Sequence, residues 1–257
     1  MPEPTGDSRL AESEKSWFAG YYEEERFHPF GMHLRMERDL RLLRKESDRG
    51  TLGRVLSIGC GDGRFERMVA RHADHVHASD LSPEAIAIAR QCAADEGLTN
   101  ITFEVGAAAE LGWEGPFDVV LCMALLHHLP EKEIAPFVQD LFERVAPGGL
   151  LYTLDPNVDA ILRKVGRIVL GQRYNNYHTA DEREIDPRET EEILRQAGFS
   201  QVRYLPVDWT LIPVMYLFPR GPNWPLRICG WTDRVCNHLP FRRWASGFSL
   251  AATKSRS

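Results

Sequence analysis

A glycine-rich turn constrains the fold of this chain more than any other feature of its sequence. The apolar run at residues 54–58 has the length of a buried strand, and it leads directly into Gly59, Gly61 and Gly63. A helical pattern begins at Arg64. Glycine tolerates a sharp backbone turn and leaves room for a ligand to approach the main chain. The segment therefore predicts a strand, a ligand-binding loop and a helix in succession.

The centre of the chain alternates strand and helix patterns. Strand-like runs lie at residues 54–58, 75–80, 100–105, 117–123, 150–154, 201–207 and 247–253. Helical patterns separate most of them, and Pro147, Gly148 and Gly149 are predicted to end the helix before the fifth strand. This order predicts right-handed crossovers and a mostly parallel sheet with helices on both faces. In such a sheet the ligand binds at the carboxyl ends of the strands.

The spacing of the glycines bears on the ligand class. Dinucleotide-binding turns typically read G-x-G-x-x-G, but here Gly63 comes one position early and Arg64 occupies the place of the last glycine. Asp80 ends the second strand-like run, where a carboxylate can accept hydrogen bonds from both ribose hydroxyls of a nucleoside. The spacing argues against a nicotinamide cofactor, whereas Asp80 is compatible with either kind of nucleoside.

Three further segments complete the pattern: FDVVL at residues 117–121, LLHHLP at 125–130 and VAPGGL at 145–150. Together with the glycine turn and Asp80, their order and spacing closely resemble class I S-adenosylmethionine (SAM)-dependent methyltransferases of the small-molecule type. The resemblance covers residues 50–155. It implies a Rossmann-like, doubly wound sheet of seven strands with the last strand antiparallel, and it implies SAM as the cofactor.

The resemblance also implies which residues bind the cofactor. They are Ser57, Gly59, Cys60, Gly61, Gly63, Asp80, Leu81, Ala107, Ala108 and Met123. Asp80 matches the ribose-binding acid, and Leu81 is expected to pack on the adenine ring. Ser57 stands where the family usually has an acid that helps to hold the methionine end of SAM. Ala107 stands where the family often has an acid for the adenine amino group, so backbone groups near Ala108 are expected to reach the ring.

Two adjacent histidines are the catalytic candidates. His127 and His128 follow the fourth strand, at the edge toward which the methyl group should point. Methyl transfer from a sulfonium mainly requires alignment, and a hydroxyl acceptor also requires a general base. Histidine titrates near neutral pH, so we expect one of the pair, preferably His127, to contact the acceptor or the cofactor. The alternative is that the pair serves packing. Weaker candidates are Asp155, Tyr174, Tyr177 and His178.

Two additions to the core are expected to choose the acceptor. Residues 1–49 form a predicted N-terminal helical lid, and residues 50–257 form the methyltransferase domain, with an insert rich in tryptophan and arginine at 210–244. The insert is compatible with a lid, with an apolar pocket, or with contact to a membrane surface. The expected reaction is methyl transfer to a small or medium-sized acceptor that is hydrophobic, glycan or lipid-linked, at oxygen, nitrogen or carbon.

Composition excludes several other classes. A net charge of −6 argues against a nucleic-acid partner. The five cysteines form no C-x-x-C pair, and no H-E-x-x-H pattern occurs, so we expect reduced cysteines, no metal and a cytoplasmic location. No apolar run reaches the roughly 20 residues of a spanning helix. A nicotinamide-dependent oxidoreductase and a non-catalytic SAM-binding accessory protein remain the alternatives, and the sequence indicates no particular oligomeric state.

Overall fold

The computed structural model describes residues 28–107, 111–113, 115–171 and 183–256. Its strands are β1 (Arg54–Ile58), β2 (His75–Asp80), β3 (Ile101–Val105), β4 (Phe117–Met123), β5 (Val145–Pro156), β6 (Gln201–Val207) and β7 (Gly247–Thr253). Its α-helices are α1 (Pro29–Ser47), α2 (Arg64–Ala70), α3 (Pro83–Asp95), α4 (Glu131–Arg144), α5 (Ile161–Leu170), α6 (Pro187–Gln196), α7 (Leu211–Leu217) and α8 (Asn223–Cys236). Short 3-10 turns lie at Leu126–His128 and Arg242–Trp244.

The strands form one sheet in the order β3-β2-β1-β4-β5-β7-β6. The neighbours from β3 to β5 are parallel, and β7 runs antiparallel between β5 and β6. The expected seven-stranded, mostly parallel sheet with an antiparallel last strand is therefore confirmed. Strand order reverses between β1 and β4, and in open sheets of this kind ligands bind outside the carboxyl ends of the strands at such a reversal.

Both faces of the sheet are covered, which explains the continuous apolar run of β1. Successive side chains of a strand point to opposite faces. Val55 joins a core cluster with residues of α1, α2 and α3, whereas Leu56 joins a second cluster with residues of α4 and α6. A strand that is buried on both faces has no polar side to show in its sequence.

Capping residues fix the starts of two helices. The Ser82 hydroxyl accepts a hydrogen bond from the Ala85 amide at 3.1 Å, and Pro83 follows at the first helical position of α3. Asp186 accepts from the Arg188 amide at 2.7 Å at the start of α6. Each cap satisfies an amide that the helix itself leaves without a partner.

The boundary between α4 and β5 differs from the prediction. We expected Pro147, Gly148 and Gly149 to end the helix and the strand to begin at Leu150. Instead α4 ends at Arg144, and β5 begins at Val145, so the three turn residues lie inside the strand. The pairing of β4 with β5 is irregular there. The Val145 side chain is fully buried in the second core cluster, and this burial, rather than the turn residues, sets the boundary.

The insert between β6 and β7 lies at the carboxyl edge of the sheet. Gly247, at the start of β7, pairs with both Val207 of β6 and Pro156 of β5, where those strands end. Helices α7 and α8 form a third apolar cluster, against which Phe30 at the start of α1 packs. No helix in the described ranges combines the length and the apolar character that crossing a bilayer requires.

Candidate functional site

The glycine turn after β1 has a backbone that favours glycine. Gly59, Gly61 and Gly63 have φ angles of 73°, 54° and 67°. The amides of Gly59 and Cys60 both donate to the carbonyl of Ser79, at 2.8 and 3.0 Å, which fastens the turn to the end of β2. The turn is thus held in a backbone conformation that residues other than glycine rarely adopt.

The third glycine of the turn has a packing role. A Cβ atom on Gly63 would lie 2.5 Å from the Phe103 ring and 3.0 Å from Ala89. Gly63 therefore lets α2 start against β3 and α3, whereas Gly59 would meet only the Leu125 side chain, at 3.2 Å. Of Gly59 and Gly63, Gly63 is the one whose neighbours are fully packed core side chains.

Asp80 joins the glycine turn to the start of α3. Its Oδ2 atom accepts from the Gly61 amide at 2.8 Å, and its Oδ1 atom accepts from the Ser82 amide at 2.9 Å. Each carboxylate oxygen has a second lone pair, so Asp80 can also accept from ribose hydroxyls. Leu81 is 58% exposed beside it and offers an apolar surface.

A buried carboxyl that the sequence did not single out lies beside the glycine turn. The Ser57 hydroxyl donates to Oε1 of Glu66 at 2.8 Å, and both side chains are buried. Burial raises the pKa of Glu66 to about 7, although the hydrogen bond from Ser57 acts to lower it. The structure thus places an acid next to the position where the family usually has one. Its signal in the sequence was a glutamate on the inward face of the helix after the glycines.

The remaining cofactor candidates lie at neighbouring strand ends. Gly106, which follows β3, donates its amide to the Asp80 carbonyl at 2.9 Å, and the half-buried Ala107 comes next. Met123 ends β4 and is half-buried. The structure thus brings these predicted residues to one edge, whereas Ala108 lies outside the described residues.

His127 and Asp155 form a buried pair. The His127 Nδ1 atom lies 2.9 Å from Oδ1 of Asp155, and the His127 amide donates to the same oxygen at 3.2 Å. Burial raises the pKa of the Asp155 carboxyl well above its usual range, while the backbone amides of His127 and Leu126 act to lower it. The rings of His127 and His128 lie 4.1 Å apart between centroids.

The pair joins two residues that the sequence proposed separately. His127 lies on the turn after β4, and Asp155 lies near the end of the adjacent strand β5. A carboxyl group that holds one ring nitrogen of a histidine fixes the orientation of the other. Of the weaker candidates, only Asp155 is described, because Tyr174, Tyr177 and His178 lie outside the described ranges.

Ion pairs attach α1 to the start of the insert. Asp208 follows β6 and accepts from Arg35 Nε at 2.9 Å and from Arg38 Nη1 at 2.5 Å. Burial acts to raise the pKa of Asp208, but the two arginines outweigh it and lower the value to about 2. His28, which precedes α1, also contacts the insert, because its Nε2 atom lies 2.7 Å from the Gly221 carbonyl oxygen.

The described residues contain no group of three histidine, cysteine, aspartate or glutamate side chains that could hold a metal ion. The cysteines among them are free. Cys60, in the glycine turn, is buried, and burial together with the neighbouring Glu66 carboxyl raises the pKa of its thiol well above the ordinary value. The groups able to move a proton in this site are therefore the carboxyls and the histidines.

The chain matches known proteins through its central region. A family model described as "Methyltransferase domain" matches residues 55–149. A ubiquinone biosynthesis O-methyltransferase of Xylella fastidiosa (strain 9a5c) is 37% identical over 101 residues, which are 38% of this chain and 40% of that protein. The match thus spans less than half of that relative's length.

A longer match and a solved structure extend the comparison. A ubiquinone biosynthesis O-methyltransferase of Cupriavidus pinatubonensis is 30% identical over 175 residues, which are 66% of this chain and 69% of the relative. The structure of the DhpI–SAH complex aligns with a TM-score of 0.60 at 20% identity, over 96% of this chain and 98% of that chain. The structural likeness concerns the fold.

Proposed function

The chain belongs to the class I SAM-dependent methyltransferases, and from this premise we propose that it transfers the SAM methyl group to a hydroxyl oxygen of a small organic acceptor. The observation that carries the choice of oxygen is the buried contact between His127 and Asp155 at the carboxyl edge. A hydroxyl acceptor must lose its proton, and an oriented imidazole can take it. The names of the two relatives, both O-methyltransferases, support the same choice.

The cofactor is proposed to lie across the ends of β1, β2 and β3. The backbone of Gly59 and Gly61 faces it, the Asp80 carboxylate accepts from its ribose hydroxyls, and Leu81 packs on its adenine. Ala107, Ala108 and Met123 are proposed as further neighbours of the cofactor.

Glu66 is proposed to act in place of the acid that the family usually has at the position of Ser57. Its carboxyl is buried with a raised pKa, and no lysine or arginine in the described part of the chain forms an ion pair with it. The ammonium group of the methionine moiety would provide the missing cation and favour the ionised carboxylate. The buried acid therefore fits a ligand that carries a positive charge at this end.

The proposed chemistry uses the His127–Asp155 pair as the base. SAM supplies an activated methyl group, because its sulfur leaves as a neutral thioether. Ionised Asp155 accepts from Nδ1–H of His127, which leaves the lone pair on Nε2. That nitrogen takes the hydroxyl proton as the acceptor oxygen bonds to the methyl carbon, and Asp155 then stabilises the imidazolium.

The acceptor is proposed to bind beneath the insert. The Asn157 side chain, two positions after Asp155, donates to the carbonyls of Arg243 and Ala245, at 2.7 and 2.9 Å, and so attaches the end of the insert to β5. Within the proposed division of the chain, residues 1–49 and 210–244 choose the acceptor, and the remaining residues bind the cofactor.

The proposal is tested by incubating the protein with methyl-labelled SAM and matched acceptors that present a phenol, a catechol, an amine or a thiol on the same ring. We expect label on oxygen in the phenol or catechol products. Label only on nitrogen or sulfur contradicts the choice of atom. No label in any product, together with reduction of NAD when it is supplied with the same acceptors, supports the oxidoreductase alternative.

A further inference from the structure

Helix α8 of the insert carries two apolar faces. Leu226 and Cys229 face inward and belong to the apolar cluster shared with α7. Trp224, Ile228 and Trp231 lie on the outer side, and both tryptophans are 64% exposed. Their spacing of four and then three residues places them on one stripe of the helix. A helix packed on a globular core needs only one apolar stripe, so packing within the described residues does not account for the outer one.

A second exposed apolar stripe lies on α5. Ile161, Val165 and Ile168 recur at helical spacing on its outer side, and Ile168 is 83% exposed. Helix α5 follows the end of β5 and contacts α7 of the insert. Both stripes therefore belong to elements at the carboxyl edge of the sheet, where the candidate site lies. We call the outer faces of α5 and α8 the edge surface.

The exposed charges of the insert are positive. Residues 210–244 contain one acid, Asp233, which is buried and accepts from the Thr210 amide at 2.7 Å. The exposed arginines of this segment are Arg220, Arg227, Arg234 and Arg242. Helix α5 adds an exposed lysine, Lys164. Because the chain as a whole carries −6, this basic region runs against the overall charge.

The mixture of stripes and arginines points to one kind of partner. A nucleic acid would attract the arginines but would leave the aliphatic and tryptophan side chains in water. A second copy of the same face would place arginine against arginine. An anionic lipid bilayer offers phosphates to the arginines and an apolar interior to the stripes, with tryptophan favoured at the boundary.

We propose that the edge surface docks on the surface of a membrane that contains anionic phospholipids. Trp224 and Trp231 enter the headgroup region, and the arginines contact lipid phosphates. The docked chain has the carboxyl edge of its sheet next to the bilayer, so an acceptor can reach the site from the lipid phase. This binding does not depend on methyl transfer and is measured without cofactor or acceptor.

Flotation of the full-length protein tests the proposal. We expect it to float with vesicles of phosphatidylcholine and phosphatidylglycerol, and to float much less with phosphatidylcholine alone or at high salt. The double variant Arg220→Glu and Arg234→Glu should lose at least about 25-fold in partitioning, because removal of each arginine costs about fivefold and each glutamate adds repulsion from the anionic lipids. The matched control, Arg41→Glu and Arg44→Glu on α1, exchanges exposed arginines outside the edge surface and should float like the wild type.

A second variant separates the contribution of the apolar side chains to vesicle binding from that of the arginine charges. Trp224→Ser and Trp231→Ser change only exposed side chains, so we expect an unchanged thermal unfolding midpoint and loss of flotation. Absence of flotation on anionic vesicles overturns the proposal. Equal flotation of the wild type and the Arg220/Arg234 variant also overturns it. A concentration-dependent dimer that the tryptophan variant loses, without vesicle binding, assigns the surface to a second copy instead.

Discussion

The Nδ1 atom of His127 lies 2.9 Å from Oδ1 of Asp155, although 28 positions separate the two residues in the chain. The contact exists because β4 and β5 are adjacent parallel strands, so the turn after one meets the end of the other. It gives the carboxyl edge an oriented imidazole, and the proposed chemistry follows from it.

Replacing His127 with alanine should remove the base and leave the cofactor site intact. We expect methyl transfer to a hydroxyl acceptor to fall by roughly 10²- to 10⁴-fold, because that is the usual contribution of a general base. SAM affinity, measured by calorimetry, should stay within about twofold. His75→Ala, which changes a histidine that contacts Thr102 on β3, is the matched control. Unchanged turnover in the His127 variant removes this residue from the mechanism.

The pH dependence of the reaction should reflect the buried pair. A base acts only when deprotonated, so kcat/KM should rise with pH through the apparent pKa of the pair. Burial raises the pKa of Asp155, which predicts an apparent value above the ordinary range of aspartate.

Asp155→Asn should lower kcat/KM by roughly 10- to 100-fold, because it removes a charge-assisted hydrogen bond. It should also change the pH profile. A profile that superimposes on that of the wild type argues against coupling between the two residues.

Glu66 should make the apoprotein less stable as pH rises. Its pKa is about 7 in the folded state against an ordinary value of 4.5, so the folded state binds the proton more tightly. The favourable contribution is full below pH 4.5 and is lost as pH rises through 7. Relative to Glu66→Gln, the wild type should lose up to about 3 kcal/mol of unfolding free energy over this window.

Urea unfolding at several pH values measures this difference, and Glu133→Gln on the exposed face of α4 is the control. A constant difference between the wild type and Glu66→Gln from pH 4.5 to 7.5 contradicts the raised pKa.

Asp208→Asn should loosen the attachment of α1 to the insert. The substitution removes the carboxylate that pairs with both Arg35 and Arg38, while Arg38 keeps Asp39 as a partner, and we expect it to cost about 3 kcal/mol of unfolding free energy. Because the pKa of Asp208 is lowered to about 2, its contribution is present above the ordinary aspartate value and is lost as pH falls toward 2. Thermal unfolding at neutral pH, with exposed Asp95→Asn as control, measures the loss. Equal midpoints for the two variants exclude a stabilising role for the pairs.

The sequence predicted the parts of the fold that local patterns determine. The bounds of β1 and β4 agree with the structure because each is a short, mainly apolar run between turn signals. The start of α3 is likewise local, because Ser82 caps the helix and Pro83 occupies its first position. The start of β5 at Val145 could not be predicted from the local sequence, because burial of this side chain in the core decides it.

Contacts between distant residues were the other limit. Ser57 stood out as a missing acid, but its bond to Glu66 depends on how α2 packs against β1. His127 and Asp155 were each visible as polar residues after a strand, whereas their pairing depends on the register of β4 against β5. Residue type and position predicted the candidates, and the fold decided which of them meet.

The most direct test of the proposed cofactor site is calorimetry of SAM binding to the wild type and to Asp80→Asn. We expect the wild type to bind SAM and S-adenosylhomocysteine and not NAD. The variant should bind SAM roughly 10- to 100-fold more weakly, because it exchanges hydrogen bonds to a charged group for neutral ones. Asp95→Asn should bind like the wild type. Absence of SAM binding by the wild type, or equal affinity of the wild type and Asp80→Asn, contradicts the proposed site.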